Sequence, residues 1–145
     1  MSYSVDANIL LYASDSNSPW HSQASEFLAS CVVRSEFFCL TWPTLMAYLR
    51  TATHPRIFAA PLSPRQAEAN VESLPGLPRA RVVCEGDRFW SAYRSLTGET
   101  PVRGNLVPGA RLAAVLIEHG VRTLYSHDRD FLKFSTVRVE NPFAP

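Results

Sequence analysis

Two short strand-like runs, one near each end of the chain, constrain the fold most strongly because each leads into acidic residues. The first run, residues 2–5, stops at Asp6, and the second, residues 121–125, is followed by Asp128 and Asp130. Short apolar runs bounded by polar residues are typical of buried strands in a parallel sheet. In open parallel sheets, ligands bind outside the carboxyl ends of the strands, near a topological switch point. The two runs therefore predict one site at which carboxylates from distant parts of the chain converge.

Between these runs, short apolar segments alternate with segments of helical periodicity. Residues 37–40 predict a second buried strand, residues 81–84 a further short strand, and residues 136–139 a last edge strand. This alternation favours α/β architecture with a mainly parallel sheet. The chain has 145 residues and shows no internal repeat, so we expect one domain over residues 1–145. Prolines near the predicted helix starts support this division of the chain: Pro19, Pro43, Pro64 and Pro108.

The charge balance does not point to a particular class of partner. The chain carries 14 Lys+Arg and 13 Asp+Glu, a formal net charge of +1. A net charge this close to zero argues against binding to nucleic acid or membrane through overall charge alone. All the basic residues except Lys133 are Arg, whose guanidinium suits bidentate contact with phosphate. High genomic GC content is the simpler explanation of the same bias.

Cysteine usage and hydropathy exclude several other classes. Cys31, Cys39 and Cys84 include no closely spaced pair, which argues against a disulfide framework and against a structural zinc site. Each lies in an apolar stretch, so we expect buried free thiols. No apolar run approaches the roughly 20 residues of a transmembrane helix, and no signal peptide is visible. We therefore expect a soluble, cytoplasmic protein.

The longest polar stretch of the chain covers residues 97–105, which read Thr-Gly-Glu-Thr-Pro-Val-Arg-Gly-Asn. Loops of this kind run over the surface, are mobile, and often carry functional residues. We therefore expect this segment to be a mobile loop beside the active site.

The converging carboxylates are the feature that indicates chemistry. Hard divalent cations such as Mg2+ and Mn2+ prefer oxygen ligands, and Mg2+ usually keeps several waters, which leaves room for a phosphate. A metal ion held by Asp6, Asp128 and Asp130 can polarise a phosphodiester and activate water for in-line attack, as in nucleases and phosphatases. Asp is also a common helix cap. Asp128 therefore has an alternative role, which is to cap a short segment over residues 129–134.

Five short motifs stand in order along nearly the whole chain. They are Ser-Val-Asp-Ala-Asn-Ile-Leu-Leu at residues 4–11, Thr-Trp-Pro at 41–43, Leu-Arg-Thr-Ala-Thr-His-Pro-Arg-Ile-Phe at 49–58, Gly-Asn-Leu-Val-Pro at 104–108, and Ser-His-Asp-Arg-Asp-Phe at 126–131. Each motif alone is modest, but the five in order are specific. Together they resemble the PIN-domain ribonuclease toxins of the VapC family, and especially the branch that is abundant in mycobacteria.

The resemblance implies a fold, an activity and partners. The fold is a three-layer α/β/α PIN-like domain with a central parallel sheet of four to five strands. The activity is that of an endoribonuclease dependent on Mg2+ or Mn2+, and Asp6, Asp128 and Asp130 match the family's catalytic, metal-binding acids. The partners are an RNA substrate and a VapB-like antitoxin that folds over the toxin and blocks its site. The family also implies a homodimer and no association with membranes.

The chain departs from the family pattern at two positions. Ala47 stands where the family usually has Glu, although related branches often lack that Glu too. Gly109 stands where the motif after Val107 and Pro108 normally has Asp. Gly in a helix interior costs roughly 0.5–1 kcal/mol relative to Ala, and the helix dipole favours Asp in the first turn, so nothing local explains Gly109. The chain is either a natural, weakened or inactive PIN domain, or it carries an Asp-to-Gly change that spares its host from an active toxin. We favour the second interpretation because the flanking motif is intact.

Other polar residues near the acids are candidates for supporting roles. Asn8, Ser126 and Asn105 can orient the acids or the metal, or they can serve only as turn and cap residues. For contact with phosphate, the sequence offers Arg111, one turn into the helix that carries the site, and Arg129, which lies between two acids.

Histidines and aromatic residues near the motifs have simpler roles than catalysis. A metal-activated water needs no histidine base, so we favour surface or loop positions for His54 and His127. Aromatic residues at helical spacing are more often core than recognition surface, although some can face a partner such as the antitoxin. These aromatic residues are Trp20, Phe27, Phe89, Trp90 and Tyr93.

The competing functional class is a catalytically inactive PIN-fold module that binds an antitoxin without cutting RNA. This class shares its fold and its partner with the ribonuclease, so only a cleavage assay separates the two. A flavodoxin-like or phosphatase domain is a third class. We disfavour it because the glycine-rich phosphate loop of such folds is missing from the sequence.

Overall fold

The computed structural model describes residues 1–143, in which a sheet of five parallel strands forms the centre of the molecule. The strand order across the sheet is β3-β2-β1-β4-β5, and every neighbouring pair is parallel. The predicted α/β architecture with a parallel sheet of four to five strands is therefore confirmed. The strands are β1 (Ser2–Val5), β2 (Phe37–Thr41), β3 (Ala80–Val83), β4 (Thr123–Tyr125) and β5 (Arg138–Glu140).

Helices cover both faces of the sheet and produce the three layers. The first face is covered by α1 (Ala7–Ser14), α2 (His21–Val33), α3 (Trp42–Ala52) and α4 (Pro64–Ser73), and the second by α5 (Phe89–Glu99) and α6 (Val107–Glu118). A short 3-10 turn, Gly104–Leu106, leads into α6. A second 3-10 turn, Arg129–Lys133, follows β4. No helix among residues 1–143 combines the length and apolar character needed to span a bilayer.

Side chains on the two faces of the sheet pack into two separate hydrophobic cores, one on each face. Tyr3 and Val5 of β1 face the helices of the first layer, and Phe38 of β2 stacks on Tyr3 with ring centroids 5.3 Å apart. Cys39 and Leu124 face the opposite way and contact the second layer. Because successive strand residues point to opposite faces, β2 and β4 contribute side chains to both cores, which explains the continuous apolar runs at these strands in the sequence.

Local sequence explains where the helices begin. Ser63 and Gln66 form the predicted capping box of α4: the Ser63 side chain accepts a hydrogen bond from the Gln66 amide, and the Gln66 side chain accepts one from the Ser63 amide. Thr41 caps α3, since its hydroxyl accepts a hydrogen bond from the Thr44 amide at 3.1 Å. Pro43 lies in the first turn of α3, where its missing N–H costs nothing.

Two predictions about surface segments were wrong. Residues 97–99 are not loop, because α5 continues through Gly98 to Glu99 and the Thr100 amide still donates to the Leu96 carbonyl. Cys84 is exposed, unlike Cys31 and Cys39. Strand β3 ends at Val83, so Cys84 lies in the loop beyond the sheet and outside both cores.

The aromatic residues divide between core and surface. Trp20 and Phe27 pack against the first core, and Phe89 and Tyr93 pack against the second. Trp90 differs, since 62% of its surface is exposed. Trp90 lies three residues before Tyr93, and the two rings stack with their centroids 5.5 Å apart. This helical spacing explains why Trp90 resembled a core residue in the sequence.

The order of the strands sets the place of the site. The chain runs from β1 outward through β2 and β3, then returns across α5 and α6 to add β4 and β5 on the other side of β1. The switch point lies between β1 and β4, where Val5 is paired in register with Tyr125. At their carboxyl ends, the Asp6 amide donates to the Tyr125 carbonyl at 3.1 Å. Loops after β1 and β4 therefore begin side by side.

Candidate active site at the switch point of the sheet

A groove of about 730 Å³ lies at the carboxyl edge of the sheet, above the switch point. We call it the acid groove because Asp6, Asp128 and Asp130 all line it. Its floor comes from the loops after β1 and β4, and its walls come from α3 and from the start of α6. The remaining lining residues are Ala7, Trp42, Pro43, Thr44, Met46, Ala47, Arg50, Asn105, Leu106, Val107, Pro108, Gly109, Arg111, Leu112, Phe131 and Phe134.

Asp6 is the buried acid of the groove. It caps α1, since its Oδ1 accepts a hydrogen bond from the Asn8 amide at 3.0 Å, and its Oδ2 accepts one from the Ser126 hydroxyl at 2.6 Å. Burial raises the pKa of the Asp6 carboxyl, and the neighbouring charge of Asp128 raises it further, while the two hydrogen bonds act in the opposite direction. A cation bound beside Asp6 would relieve this unfavourable burial of charge.

Ser126 joins the two acidic loops. Its hydroxyl donates to Asp6 and accepts a hydrogen bond from the Asp128 amide at 2.9 Å. Asp128 in turn caps the 3-10 turn, since its Oδ1 accepts from the Asp130 amide at 2.9 Å. The capping role considered for Asp128 is therefore present, and it uses only one oxygen. Among residues 1–143, the other oxygen of Asp128 has no hydrogen-bond donor.

Asp130 stands at the rim of the groove. Its side chain is 63% exposed and lies 3.5 Å from the Lys133 ammonium, one turn further along. Surface ion pairs of this kind contribute little to stability, and they leave the carboxylate free to exchange partners. Asp130 is thus the most accessible of the three acids and the least constrained.

The donors in the acid groove suit a hard cation. Within the described part of the chain, no group of three or more His, Cys, Asp or Glu side chains is close enough to hold a metal ion. Mg2+, however, is commonly held by one or two carboxylates, with water and substrate phosphate completing its shell. Asp6 and Asp128 provide such a pair, with oxygen ligands only, so the residues present fit Mg2+ or Mn2+.

The two departures from the family pattern both lie in the wall of the groove. Ala47 belongs to α3, and Gly109 belongs to the first turn of α6. A Cβ atom at Gly109 would meet ring carbons of Phe131 at 3.5 Å and of Phe134 at 4.0 Å, which are ordinary van der Waals distances. The backbone there is regular helix. The structure therefore has room for a side chain at position 109 and shows no packing reason for glycine.

Other predicted residues divide between the groove and its surroundings. Asn105 lines the groove, whereas Asn8 contributes its backbone amide to Asp6. Arg111 also lines the groove, but its guanidinium is held by Glu85 at 2.5 Å. Arg129 does not reach the acid groove, because it lines a smaller cavity of about 400 Å³ on the other side of Asp128.

The two histidines lie outside the acid groove. His127 packs edge-on against Trp20 at 4.6 Å, and its Nδ1 lies 3.4 Å from the Tyr12 hydroxyl. His54 accepts a hydrogen bond from the Arg56 amide within a local turn. His54 and His127 both lie in loops, as expected from the sequence.

One wall of the groove contains residues that the sequence reasoning missed. Trp42, Met46 and Arg50 follow one another at intervals of four residues, so they form a stripe along one face of α3. Trp42 is 46% exposed and Met46 is 56% exposed. Beside them, the buried Thr44 hydroxyl has no hydrogen-bond partner among residues 1–143. The regular spacing was visible in the sequence, but its orientation toward the groove was not.

Comparisons with known proteins identify the family. No family model matches the chain. The chain is 39% identical over 144 residues to ribonuclease VapC48 of Mycobacterium tuberculosis, and the alignment covers 99% of each chain. Its fold is similar to that of VapBC-1 from nontypeable Haemophilus influenzae, with a TM-score of 0.68, 17% identity and coverage of 99% and 100% of the two chains. It is also similar to Mycobacterium tuberculosis VapC20, a Sarcin-Ricin loop cleaving toxin, with a TM-score of 0.64, 17% identity and coverage of 90% and 92%. By its full-length likeness to VapC48, the chain belongs to the VapC ribonuclease family.

Proposed function

We propose that this chain is an endoribonuclease toxin of a type II toxin–antitoxin system, which hydrolyses RNA phosphodiester bonds in the acid groove. The observation that carries the proposal is the convergence of Asp6 and Asp128, from opposite ends of the chain, at the switch point of the sheet. Family membership supplies the reaction class. VapC48 is named a ribonuclease, and VapC20 is described as cleaving the Sarcin-Ricin loop.

In this proposal Asp6 and Asp128 hold Mg2+ or Mn2+, and Asp130 contributes from the rim. The bound cation would supply charge stabilisation for the scissile phosphate and would make a water molecule more acidic. Ser126 positions the site, because its single hydroxyl fixes the orientation of Asp6 and the loop that carries Asp128. Its role is thus to keep both carboxylates aimed into the groove before substrate arrives.

Gly109 weakens this site in our proposal. A missing carboxylate removes both an oxygen ligand and a negative charge that offsets the cation, so metal binds less tightly than in a chain with Asp at that position. The space at position 109 supports this interpretation, since an added Cβ atom would make only ordinary van der Waals contacts with Phe131 and Phe134.

The partners follow from the same family. We propose a VapB-like antitoxin as the protein partner, since VapBC-1 of Haemophilus influenzae is named as such a pair. We also propose that the chain forms a homodimer, which is an expectation from the family resemblance alone. RNA is the substrate, and its sequence and structure are set by contacts around the groove.

The second candidate function is a catalytically inactive module that binds antitoxin without cutting RNA. The observation that favours it is the pair of missing acids at Ala47 and Gly109, both in the wall of the acid groove. This alternative has the same fold and the same protein partner, but it lacks RNA cleavage.

A cleavage assay with matched variants separates the two functions. We would compare the unmodified chain with Gly109→Asp, Asp6→Ala and Asp128→Ala on single-stranded RNA, with Mg2+, with Mn2+ and with EDTA. Glu68→Ala, which removes an exposed acid of α4, is the control for overall charge. We expect weak Mg2+-dependent cleavage by the unmodified chain, at least about 10-fold faster cleavage by Gly109→Asp, and loss of cleavage in both alanine variants.

Calorimetric titration with Mg2+ provides a readout that does not depend on activity. Gly109→Asp should bind Mg2+ about 10- to 100-fold more tightly than the unmodified chain, in line with the effect of ligand and outer-shell changes at metal sites. If no variant cleaves RNA, including Gly109→Asp, the inactive module is the correct function. If Gly109→Asp binds Mg2+ no better than the unmodified chain, our account of position 109 is wrong.

A further inference from the structure

The stripe on α3 formed by Trp42, Met46 and Arg50 is unusual because large apolar side chains are exposed in the wall of a polar site. Trp42 and Met46 each leave about half of their surface exposed. Neither belongs to the core, whose residues on α3 are Leu45, Tyr48 and Ala52 on the other side of the helix. An exposed tryptophan beside clustered carboxylates has no evident role in stability, which points to a ligand.

The charges around the stripe indicate what that ligand is. Arg50 lies at the far end of the stripe, about 12 Å along the helix axis from Trp42. Among residues 1–143, Arg50 forms no ion pair, unlike Arg111 in the same groove, which is held by Glu85. An aromatic face followed by a free guanidinium along one helix is the combination that binds single-stranded nucleic acid, by stacking on a base and by attraction to phosphate.

We propose that the α3 stripe is the binding site for unpaired nucleotides of the RNA strand, with a base stacked on Trp42 and a backbone phosphate at Arg50. The inference rests on the proposed function and names the residues that hold the RNA beside the reacting phosphate. Because the stripe and the acids line one groove, a strand lying along α3 passes directly over Asp6 and Asp128. Trp42 and Arg50 are then positioning residues, and Trp42 gives the site a preference among bases.

A single-stranded RNA fits this surface better than a protein segment or a second copy of the chain. Burial of Arg50 against an apolar protein surface would be costly without a carboxylate partner, whereas a phosphate backbone supplies negative charge along its whole length. Every base also has a flat face that can stack on tryptophan, so an exposed ring suits a ligand whose sequence varies.

Fluorescence anisotropy in low-salt buffer containing EDTA tests the inference, since binding is then measured without cleavage. The probes are short fluorescein-labelled oligoadenylate and oligouridylate. We expect the unmodified chain to bind oligoadenylate more tightly than oligouridylate, because adenine stacks more strongly. Trp42→Ala should weaken binding to oligoadenylate about 5- to 100-fold and should abolish the preference between the two probes.

Three further variants control for indirect effects. Trp42→Phe keeps a flat ring and should retain most of the affinity and the preference. Trp90→Ala removes another exposed tryptophan, which lies outside the groove, and it should bind like the unmodified chain. Arg50→Ala should reduce the slope of log affinity against log salt concentration by about 0.7, the value for one phosphate contact on a single strand.

Each adverse outcome has a distinct meaning. If Trp42→Ala binds both probes as the unmodified chain does, the stripe is not the RNA site, while Mg2+-dependent cleavage can still establish the ribonuclease. If Trp42→Phe is as weak as Trp42→Ala, Trp42 acts by supporting the fold and the stacking role is overturned. If the unmodified chain binds neither probe, the stripe does not bind unpaired nucleotides and the inference is wrong, while the cleavage assay tests the proposed function separately. If Trp42→Ala weakens only binding of a VapB-like antitoxin, a protein partner occupies the stripe and the inference is wrong.

Discussion

The Asp6 carboxylate is buried beside a second acid, Asp128, and is held by hydrogen bonds from Ser126 and from the Asn8 amide. Burial disfavours its charged form more than these hydrogen bonds favour it, so the pKa of Asp6 is raised. In the absence of a cation, the ionised residue therefore opposes folding. In our proposal Asp6 is a metal ligand, and functional residues often conflict with stability in this way.

Replacing Asp6 by Asn should stabilise the metal-free chain at neutral pH. Because the pKa of Asp6 is higher in the folded than in the unfolded chain, the folded state binds more protons between the two values, and its stability falls as pH rises. The stabilisation of the folded state by protonated Asp6 is complete below the ordinary Asp pKa of about 3.9. This stabilisation is lost as pH rises through the higher pKa that Asp6 has in the folded chain. Asp6→Asn should thus unfold at a higher temperature than the unmodified chain at pH 7, with the difference shrinking toward pH 4.

Thermal unfolding followed by circular dichroism in EDTA, at several pH values, measures this difference. Asp87→Asn, at an exposed position, serves as the control for a general change of charge. A lower unfolding temperature for Asp6→Asn at pH 7 would show that the carboxylate's hydrogen bonds outweigh the cost of burying it.

The sequence predicts the acids of the groove but not the stripe of Trp42, Met46 and Arg50 in its wall, for a physical reason that lies at the residue scale. Asp6 and Asp128 follow strands that the local runs of apolar residues predict, and parallel strands place their carboxyl ends at the same edge of the sheet. The direction of Trp42 depends on how α3 is rotated about its axis. That rotation is set by contacts of Leu45 and Tyr48 with a core assembled from distant segments.

At the scale of elements, the side chain of Glu118 in α6 forms hydrogen bonds to the segment at the start of α5. Glu118, in the last turn of α6, accepts hydrogen bonds from the amides of Gly86 at 2.8 Å and Arg88 at 3.0 Å, just before α5 begins at Phe89. The Glu118 side chain is only 7% exposed. Arg88 is the N-cap residue of α5, but its side chain makes no capping hydrogen bond. The Glu118 carboxylate instead accepts hydrogen bonds from amides at the start of the helix, which otherwise lack an acceptor within it.

Glu118→Ala should lower the free energy of unfolding by about 0.5–2 kcal/mol, because two amides at the start of α5 lose their acceptor. Glu118→Gln keeps an acceptor oxygen and should lose less. Glu72→Ala, at an exposed position of α4, should be close to neutral. Urea denaturation of the four chains measures the differences, and equal midpoints for Glu118→Ala and the unmodified chain would contradict the link.

Gly86 provides an independent test of the same contact. A Cβ atom at position 86 would lie 2.5 Å from Glu118 Oε2, so Gly86→Ala must displace the carboxylate. Because the flexible carboxylate can move away, Gly86→Ala should cost no more than Glu118→Ala does in the unmodified chain, and it should cost little in Glu118→Ala. The double variant should therefore lose less stability than the sum of the two single losses in a double-mutant cycle. Additive costs would show that the two residues act separately.

At the scale of the whole molecule, the end of the chain closes against its beginning. Phe143, three residues after β5, is buried and stacks on Trp20 with ring centroids 5.2 Å apart. It also contacts Tyr12 and His127, so a cluster of four rings joins α1, the start of α2 and the loop after β4. None of this is visible in a local pattern, because it joins segments separated by over 100 residues.

Phe143→Ala should destabilise the chain by about 2–4 kcal/mol, somewhat below the usual range for a fully enclosed phenylalanine, because Tyr12 and Trp20 beside it are only partly buried. Phe143→Leu fills part of the space and should cost less. Urea denaturation measures the loss, with Ile57→Ala, which removes an exposed side chain, as the matched control. An unfolding midpoint for Phe143→Ala equal to that of the control would show that the cluster does not contribute.

The central position of β1 has a consequence for synthesis of the chain. β1 is the first strand to leave the ribosome, yet its neighbour on the side of the switch point begins only at Thr123. A nascent chain therefore carries Asp6 without the loop that completes the groove until residues 123–128 have been made and have left the ribosome. Any fragment that stops before this point lacks the paired acids.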